Sequence, residues 1–269
     1  MTDRIAACFA ACRAERRAAL VGYLTAGDPD PEVSLTLLSA LAEEVDLLEV
    51  GIPFSDPMAD GPVIQAASER ALAAGTRMAD LFRLVARVRL ARPDLPVVLM
   101  GYGNSALAMG MERFTERAAA AGVDGVLLVD IPPEEGGLCD EALRNHGLKR
   151  ILLLTPTSPE ARLRLVAERG GGFVYYVSLT GITGAEMGDV DQVARRVEQI
   201  SQACALPVCV GFGVKTPQQA AALAQVADGV VVGSRFVGLV ADHLDAPEQA
   251  VACLRREAAA LRRAMARRG

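Results

Sequence analysis

The sequence contains few aromatic residues and no tryptophan. Only 4% of its 269 residues are aromatic whereas 51% are hydrophobic, so a core must be built mainly from Ala, Val and Leu. That composition is typical of a large sheet covered by helices. No apolar run approaches the ~18 residues of a membrane span, and the apolar N-terminal stretch is too short for a convincing signal peptide. We therefore expect a soluble protein that does not associate with membranes.

Clustered positive charge and cysteine motifs are also absent. The net charge is -5 and Arg alternates with Asp and Glu, which argues against a nucleic-acid partner. The six cysteines form no CxxC pair and no Cys/His metal spacing. We therefore expect reduced thiols, a cytoplasmic location and no bound metal. Cys8 and Cys12 lie one turn apart on the same face of a predicted N-terminal helix.

Short apolar runs rich in Val and Leu recur along the chain, with segments of helical periodicity between them. This alternation predicts a parallel sheet, because parallel strands need a crossover connection. Eight runs are predicted as strands: 18–25, 45–51, 96–102, 123–130, 150–155, 172–178, 207–213 and 228–233. Eight even units favour a closed (β/α)8 TIM barrel over an open doubly wound sheet. No linker divides the chain, so 1–269 is predicted as a single barrel domain with an extra N-terminal helix.

The segments that follow the predicted strands are rich in Gly, Pro, Asp, Ser and Thr, whereas the helix-to-strand connections are short. In a barrel all strand-to-helix loops emerge on one rim, where barrel enzymes carry their active sites. We therefore expect the functional site at this rim. Asp28 and Asp30, in the first of these loops, are interpreted as turn and cap residues.

Glu49 ends the second predicted strand. By strand alternation it shares a face with Leu47 and Gly51, and a carboxylate does not fit against the covering helices. Glu49 is therefore predicted to point into the barrel mouth. Among apolar neighbours its pKa should rise toward neutrality, where a carboxyl group can both donate and accept a proton. The alternative is a structural ion pair, for which Arg235 is the only arginine near the end of a predicted strand.

Asp60 lies in a loop that Pro57 and Pro62 restrict through their fixed φ angles. Such a loop can hold a second carboxylate opposite the first. Alternatively, Asp56 and Asp60 are only turn or cap residues, with Asp60 at the start of the helix that begins near Pro62, and the spacing alone favours neither interpretation.

Glycines follow the seventh and eighth predicted strands, in the segments GFGV and VGSRF. They let an anion approach the backbone, and the helix that follows offers free N–H groups. In barrel enzymes these two loops are a frequent phosphate site, which makes Gly213, Gly233 and Ser234 candidates. The segment SLTGITGAEMG, after the sixth strand, has the composition of a mobile lid.

The sequence lacks the groups that aldolases use as electron sinks. Its two lysines are Lys149, at the start of the fifth strand, and Lys215, after the phosphate loop, so neither is placed to form a Schiff base. His146 and His243 fall in helical or helix-to-strand regions and do not form a metal site. A substrate cleaved here must therefore supply its own sink. A heteroaromatic ring does so once it is protonated at carbon.

The segment LEVGIPFSDPMADGPVIQ (48–65) resembles a long and specific signature of the tryptophan synthase alpha subunit family. YLTAGDP, SLTGITG and GFGVKTP support the resemblance, which extends over essentially the whole chain. It implies a carbon-carbon lyase of tryptophan biosynthesis that reversibly cleaves indole-3-glycerol phosphate to indole and D-glyceraldehyde 3-phosphate. It also implies no cofactor in this chain, and a beta subunit that carries pyridoxal phosphate and receives the indole in an alpha2beta2 complex.

The resemblance further implies residue roles. Glu49 is similar to the acid/base residue that protonates indole C3 and takes the proton of the neighbouring hydroxyl, and Asp60 to the carboxylate that accepts the indole N–H. The substrate-binding residues it implies are Tyr23, Ile64, Met100, Leu127, Val129, Leu153, Tyr175, Thr183, Gly184, Phe212, Gly213, Gly233 and Ser234.

A partner surface is expected at the same rim. Apolar residues in the loops after the second and third strands predict an exposed patch, although these side chains could instead pack on each other. With the resemblance, this rim is assigned to the beta subunit, with Asp56 expected to help signal across the contact. The interface residues are Pro53, Phe54, Asp56, Pro57, Met58, Asn104 and Leu107.

Three positions depart from the family pattern. Tyr23 stands where some members have Phe, Val63 replaces a common Thr, and Leu179 occupies a lid position that is Arg in some members. Two alternative functions stay open: a stand-alone lyase that releases free indole, and a non-catalytic subunit that binds a phosphorylated ligand and activates a second protein. A flavin-binding barrel oxidoreductase would share the phosphate loops.

Overall fold

A computed structural model describes residues 3–178, 187–211 and 213–266 of the chain. Within these ranges the strands are β1 (Ala19–Thr25), β2 (Leu47–Gly51), β3 (Val97–Gly101), β4 (Gly125–Leu128), β5 (Lys149–Arg150), β6 (Leu152–Leu154), β7 (Val174–Val177), β8 (Val208–Gly211) and β9 (Gly229–Val232). The α-helices are α1 (Arg4–Ala14), α2 (Pro31–Glu44), α3 (Pro62–Ala73), α4 (Met78–Ala91), α5 (Gly103–Met109), α6 (Met111–Ala121), α7 (Asp140–Asn145), α8 (Glu160–Arg169), α9 (Met187–Cys204), α10 (Pro217–Ala224), α11 (Ser234–Ala241) and α12 (Pro247–Ala264). A 3-10 helix covers Pro133–Leu138.

The strands form one parallel sheet in the order β5-β4-β3-β2-β1-β9-β8-β7-β6. Only Ile151 separates β5 from β6, so these two segments belong to one barrel strand and bring the two edges of the sheet together. The sheet therefore has eight strand-and-helix units arranged as a barrel, which confirms the predicted fold. All eight predicted strands are present, with ends that differ by at most two residues.

Strand residues alternate between two cores. Outward residues such as Leu20 and Leu48 pack against the surrounding helices. Inward residues fill the barrel: Ala19, Val21, Leu47, Val98, Leu127, Ile151, Cys209 and Val231. Ile5, Phe9 and Cys12 of α1 pack against this inner set. Helix α1 therefore closes the end of the barrel where the strands begin.

Polar contacts hold α1 in that position. Its first turn is capped by Asp3, whose carboxylate accepts from the backbone N–H of Ala6 at 3.0 Å. Arg4 pairs with Asp124 at 2.9 Å, and Lys149 pairs with Asp3 at 2.8 Å. Asp124 and Lys149 both lie where strands begin, so these contacts attach the helix to the closed end.

One predicted helix differs in the structure. The segment 134–147 is divided into the 3-10 helix, which contains Gly136 and Gly137, and α7, with Cys139 between them. Glycine in a helix interior costs about 1 kcal/mol relative to alanine, so this pair disfavours a regular α-helix in the first part of the segment. Of the residues that the structure describes, none belongs to a helix long and apolar enough to cross a membrane.

Candidate active site

The side chain of Glu49 is enclosed in the barrel mouth. It is 1% exposed, and neither carboxylate oxygen has a hydrogen-bond partner among the described residues. Strand pairing places Glu49 beside Tyr23 of β1 and Val98 of β3. Because the charged form is neither hydrated nor paired, burial raises the pKa of Glu49 to about 8, with a further contribution from the charge of Asp60. The carboxyl group is thus poised to exchange a proton near neutral pH.

The ion-pair alternative for Glu49 is wrong. Arg235, the arginine proposed as its partner, instead pairs with Glu257 of α12, with Nε and Oε1 2.9 Å apart. A charge pair therefore does not neutralise Glu49 within the described part of the chain, and its carboxyl group stays available for chemistry.

Asp60 lies in the loop between β2 and α3 and is held by a tyrosine. The Tyr102 hydroxyl donates to Oδ2 of Asp60 at 3.1 Å and accepts from the backbone N–H of Ala59 at 2.9 Å. Burial raises the pKa of Asp60, and the hydrogen bond from Tyr102 partly opposes this rise. The N-cap of α3 is Gly61, so the prediction that Asp60 caps that helix is wrong. Asp60 does end a turn, in which its N–H donates to the carbonyl oxygen of Pro57 at 3.0 Å.

Tyr102 is a candidate site residue that sequence reasoning missed. It directly follows β3, is 4% exposed and stacks on Phe54, with ring centroids 5.0 Å apart. The available signal was a tyrosine at the end of a buried strand, on the rim that carries Glu49. Such a residue can position a carboxylate in the neighbouring loop because both belong to the same end of the barrel.

Aromatic and apolar side chains surround the two carboxyl groups. Tyr23 is buried with its hydroxyl 3.3 Å from Thr25 Oγ1. Burial chiefly, and the charge of Glu49 in second place, raises the pKa of Tyr175 well above its usual range. Four other predicted substrate-binding residues pack on or within the inner core: Met100, Leu127, Val129 and Leu153. The structure therefore encloses Glu49 in a largely apolar environment.

A cavity of about 280 Å³ lies beside Tyr175 and is lined by both predicted phosphate loops. Its lining residues are Gly61, Pro62, Val63, Ile64, Tyr175, Gly213, Val214, Lys215, Val231, Gly233 and Ser234. Helix α11 begins at Ser234, so its first backbone N–H groups lie at this cavity and can donate to an anion. The structure thus brings together the start of α3 and the two glycine loops.

The predicted partner surface is only partly exposed. Met58 is 86% exposed and Leu107 is 44% exposed. Asp56 and Asn104 are exposed, whereas Pro53, Phe54 and Pro57 are half-buried. Ile52 and Ala106, two further apolar residues that follow the second and third predicted strands, are buried in the core. The exposed apolar area is therefore smaller than the sequence predicted.

Three predicted substrate-binding residues, Thr183, Gly184 and Phe212, lie outside the described residues, as does Leu179. Within the described ranges, no group of three or more His, Cys, Asp or Glu side chains could hold a metal ion.

Comparisons with known proteins agree with the sequence motifs. A family model described as tryptophan synthase alpha chain matches residues 9–266. The chain is 55% identical to the tryptophan synthase alpha chain of Geobacter sulfurreducens over 238 residues, covering 88% of this chain and 90% of the relative. It is 51% identical to that of Halorhodospira halophila over 267 residues, covering 98% and 96%.

Solved structures give the same result. Tryptophan synthase subunit alpha from Legionella pneumophila superposes with a TM-score of 0.91 at 37% identity, covering 98% of this chain and 99% of that chain. A chain of tryptophan synthase from M. tuberculosis, in an open form with BRD0059 bound, superposes with a TM-score of 0.88 at 35% identity, covering 98% and 99%. Because the match is this long in sequence and this close in structure, the chain belongs to the tryptophan synthase alpha chain family.

Proposed function

We propose that this chain reversibly cleaves indole-3-glycerol phosphate to indole and D-glyceraldehyde 3-phosphate. The observation that carries the proposal is the unpaired carboxyl group of Glu49, buried beside a second carboxyl group at the mouth of a barrel. The raised pKa of Glu49, about 8, keeps a transferable proton on it at neutral pH. Family membership supports this lyase activity.

In the proposed mechanism Glu49 first donates its proton to C3 of the indole ring. The ring then carries positive charge, and the bond between C3 and the glycerol carbon becomes a bond to an electron-deficient centre. The Glu49 carboxylate takes the proton of the hydroxyl on that carbon, the carbonyl of the aldehyde forms, and the electrons of the broken bond return to the ring. Glu49 ends the cycle protonated, as it began.

Asp60 is proposed to accept the indole N–H and to stabilise the positive charge that develops on the ring. This role requires an ionised carboxylate in a fixed orientation. The hydrogen bond from Tyr102 supports both requirements, because it favours the charged form and holds Oδ2 in place. Tyr102 is therefore proposed as a positioning residue.

The remaining predicted residues are proposed to hold the substrate. Gly213, Gly233 and Ser234 line the 280 Å³ cavity and would receive the phosphate on backbone N–H groups. The indole ring would lie among the apolar and aromatic side chains, which are Tyr23, Ile64, Met100, Leu127, Val129, Leu153, Tyr175 and Phe212. Thr183 and Gly184 remain proposed as lid residues.

We further propose that the rim carrying Phe54, Met58 and Leu107 binds a beta subunit in an alpha2beta2 complex. The partly exposed apolar side chains around Met58 support this assignment. The pyridoxal phosphate cofactor would belong to the beta subunit, with none in this chain. As an enzyme of amino-acid biosynthesis, the complex is proposed to act in the cytoplasm.

Indole release from indole-3-glycerol phosphate tests the proposal. Glu49→Gln should lower the rate by roughly three orders of magnitude, because it removes the transferable proton. Glu69→Gln changes an exposed carboxyl group on α3 and serves as the matched control. A Glu49→Gln variant as active as the control would contradict the lyase assignment and favour the non-catalytic activator.

The same assay separates a subunit from a stand-alone lyase. If the beta subunit docks on the proposed rim, adding it should raise kcat, and Met58→Asp should weaken that response without abolishing the basal rate. Full activity of the isolated chain, unchanged by the beta subunit, would favour the stand-alone enzyme.

A further inference from the structure

The hydroxyl groups of Tyr23 and Thr25 form a buried pair at the mouth of the barrel. Both residues lie on β1, two positions apart, and therefore share one face of the strand. Their hydroxyl oxygens are 3.3 Å apart, and the two residues are 5% and 2% exposed. The proposed lyase mechanism uses the ring of Tyr23 as a contact for indole but uses neither hydroxyl group.

This pair has one hydrogen without an acceptor. Each hydroxyl group carries one hydrogen, and only one of the two is used in the bond between Tyr23 and Thr25. Within the described part of the chain, neither hydroxyl oxygen has a further hydrogen-bond partner. A buried donor without an acceptor is unfavourable, so the second hydrogen marks a place where an acceptor can be bound.

Glu49 lacks donors at the same place. Both of its carboxyl oxygens are buried without a hydrogen-bond partner among the described residues. Glu49 is in register with Tyr23 on the neighbouring parallel strand, so the two side chains leave the sheet on the same face, from backbones about 4.8 Å apart. A free donor and a free acceptor thus lie side by side.

Two glycines allow the Tyr23 ring to lie where it does. At Gly233 an added Cβ atom would lie 3.4 Å from Cδ1 of Tyr23, and at Gly51 it would lie 2.1 Å from the hydroxyl oxygen. The hydroxyl group therefore lies over Gly51. Glu49 precedes Gly51 by two residues on the same face of β2, a distance of about 6.6 Å along the strand. The Glu49 side chain can span most of that distance, so its rotation brings the carboxylate within hydrogen-bonding reach of the hydroxyl group.

Asp60 is the competing acceptor. The Tyr23 hydroxyl group is close to both carboxyl groups, so that burial first, and the charges of Asp60 and Glu49 in addition, raise the pKa of Tyr23 and keep its proton in place. Asp60, however, already accepts a hydrogen bond from Tyr102 at 3.1 Å and is proposed to accept the indole N–H as well. Among the described residues Glu49 has no donor, so it gains more from the free hydrogen.

We propose that Tyr23 is a further positioning residue of the lyase, an inference that rests on the proposed function. Once the Glu49 proton has moved to C3 of the ring, the Tyr23 hydroxyl group donates a hydrogen bond to the Glu49 carboxylate. No covalent bond to Tyr23 forms or breaks, and its proton stays on the phenol oxygen. Thr25 donates to the same oxygen, which strengthens the phenol as a donor.

This hydrogen bond belongs to the charged state of Glu49. A hydrogen bond to an ionised acceptor is about twice as strong as one between neutral groups, so the contact forms when Glu49 loses its proton and weakens when the proton returns. While it lasts, it holds the carboxylate in the barrel mouth, beside the glycerol hydroxyl group that Glu49 deprotonates next. The carboxylate is thereby stabilised without a permanent ion pair.

The protonation of Glu49 can be measured without an activity assay. Carboxyl-labelled glutamate gives each glutamate a carbon resonance in NMR spectra of the full chain, and the Glu49 resonance is the one that Glu49→Gln removes. Tyr23→Phe keeps the ring and removes only the hydroxyl group. Because a donor to the charged form lowers a carboxyl pKa, its loss should raise the pKa of Glu49 by about one pH unit.

The other titratable groups around Glu49 are the same in both chains. They are Asp60 in the loop after β2, Tyr175 on β7 and Cys209 on β8, with Tyr102 bound to Asp60. A difference between the two titrations therefore reports on the Tyr23 hydroxyl group. As a control, Tyr176→Phe removes a buried hydroxyl group from the outer core and should leave the titration of Glu49 unchanged.

Indole release provides a second readout. Loss of the donor makes Glu49 a weaker acid, so kcat should fall roughly tenfold in Tyr23→Phe, whereas KM should change little because the ring contact remains. The base limb of the kcat/KM profile, which reports the loss of the Glu49 proton, should move to higher pH. The acid limb should stay in place.

Thr25→Val tests the direction of the bond within the hydroxyl pair. If Thr25 donates to Tyr23, this substitution should raise the pKa of Glu49, but by less than Tyr23→Phe does, because Tyr23 keeps its own hydrogen. A lower Glu49 pKa in Thr25→Val would show that the wild-type Tyr23 hydrogen is directed to Thr25, and would overturn the proposal.

Two further results would overturn it. One is a Glu49 titration that is unchanged in Tyr23→Phe, and the other is a shift of the acid limb alone, which would assign the donor to Asp60. A wild-type chain that releases no indole would contradict the proposed function instead, and the NMR titration would still show whether Tyr23 binds the Glu49 carboxylate.

Discussion

The hydroxyl group of Tyr102 donates to Oδ2 of Asp60 across 3.1 Å, and the ring of the same tyrosine stacks on Phe54 at a centroid distance of 5.0 Å. One side chain thus contacts both the carboxylate proposed to bind the indole N–H and an aromatic residue of the proposed partner surface. A movement of Phe54 against Tyr102 would therefore change the orientation of Asp60. Tyr102 therefore couples the loop that follows β2, which carries Phe54 and Asp60, to the segment that follows β3.

Tyr102→Phe should weaken catalysis and shift its pH dependence. The lost hydrogen bond lowers the pKa of Asp60 in the wild-type chain, so that pKa rises in the variant. Because Asp60 acts as an ionised carboxylate, the acid limb of the kcat/KM profile should move to higher pH. One lost hydrogen bond to a charged group corresponds to about 1.5–3 kcal/mol, or roughly 10- to 100-fold in kcat/KM at neutral pH.

Tyr176→Phe is the matched control for that prediction. Tyr176 is equally buried but lies in the outer core, away from the carboxyl groups. Its substitution should leave the acid limb unchanged. A Tyr102→Phe profile that coincides with the wild-type profile would show that the hydrogen bond does not tune Asp60.

Glu49→Gln should stabilise the fold, and more so as the pH rises. The folded pKa of about 8 lies above the ordinary value of 4.5, so the folded chain keeps a proton that the unfolded chain releases between these values. Wild-type stability therefore falls with increasing pH across this window, by at most about 1.4 kcal/mol per pH unit, and the penalty is constant above it. The amide of the variant does not titrate in this range, so its free energy of unfolding does not fall in the same way.

Urea unfolding near pH 5, 7 and 9 measures the difference. The advantage of Glu49→Gln over wild type should grow by a few kcal/mol across the series. Glu69→Gln should show no such trend. A difference that is independent of pH would mean that Glu49 is ionised in the folded chain throughout.

Arg70→Met should strongly destabilise the chain. The Arg70 guanidinium binds both oxygens of Asp28, at 2.7 and 2.8 Å, and Asp28 is 4% exposed. Without the arginine, a carboxylate remains buried and unpaired, which costs about 3–5 kcal/mol. The double variant Asp28→Asn/Arg70→Met should recover much of the loss in chemical denaturation. Arg83→Met, in which the replaced side chain is 65% exposed, should cost less than about 1 kcal/mol.

Gly51→Ala should displace the Tyr23 side chain, which is proposed to contact the indole ring. A Cβ atom at Gly51 would lie 2.1 Å from the Tyr23 hydroxyl oxygen, so the tyrosine ring must move. We expect a loss of about 1–3 kcal/mol in stability from overpacking, with a raised KM for indole-3-glycerol phosphate. At Gly137 an added Cβ meets nothing within 4 Å, and Gly137→Ala should be close to neutral. Equal effects at the two glycines would contradict the steric argument.

The sequence predicted the barrel and the direction of Glu49 because both follow from local periodicity. Apolar runs mark strands wherever they fall, and a period of two places Glu49 on the face of Leu47. The sequence did not predict contacts between side chains that are far apart along the chain. Tyr102 and Asp60 are 42 residues apart, as are Arg70 and Asp28, and no local pattern links their side chains.

Asp28 illustrates how far local sequence patterns predict the role of a side chain. Its turn-rich neighbourhood predicted a turn or cap residue, and the interpretation was correct for Asp30, which caps α2. Asp28 does end a turn, in which its N–H donates to the carbonyl oxygen of Thr25 at 3.4 Å. Its carboxylate also pairs with Arg70, because the folded barrel brings the last turn of α3 beside the first loop. Similarly, the residues around Gly136 and Gly137 form a 3-10 helix, where the surrounding periodicity predicted one continuous α-helix.

Among the described residues, helix α1 closes one end of the barrel with Ile5, Phe9 and Cys12, which leaves the rim as the open end. A substrate that enters at the rim would then have to wait there until the ring product has left by the same route. A protein bound over the rim would consequently receive the ring product as it leaves, and the transfer would need no opening at the end of the barrel that α1 closes.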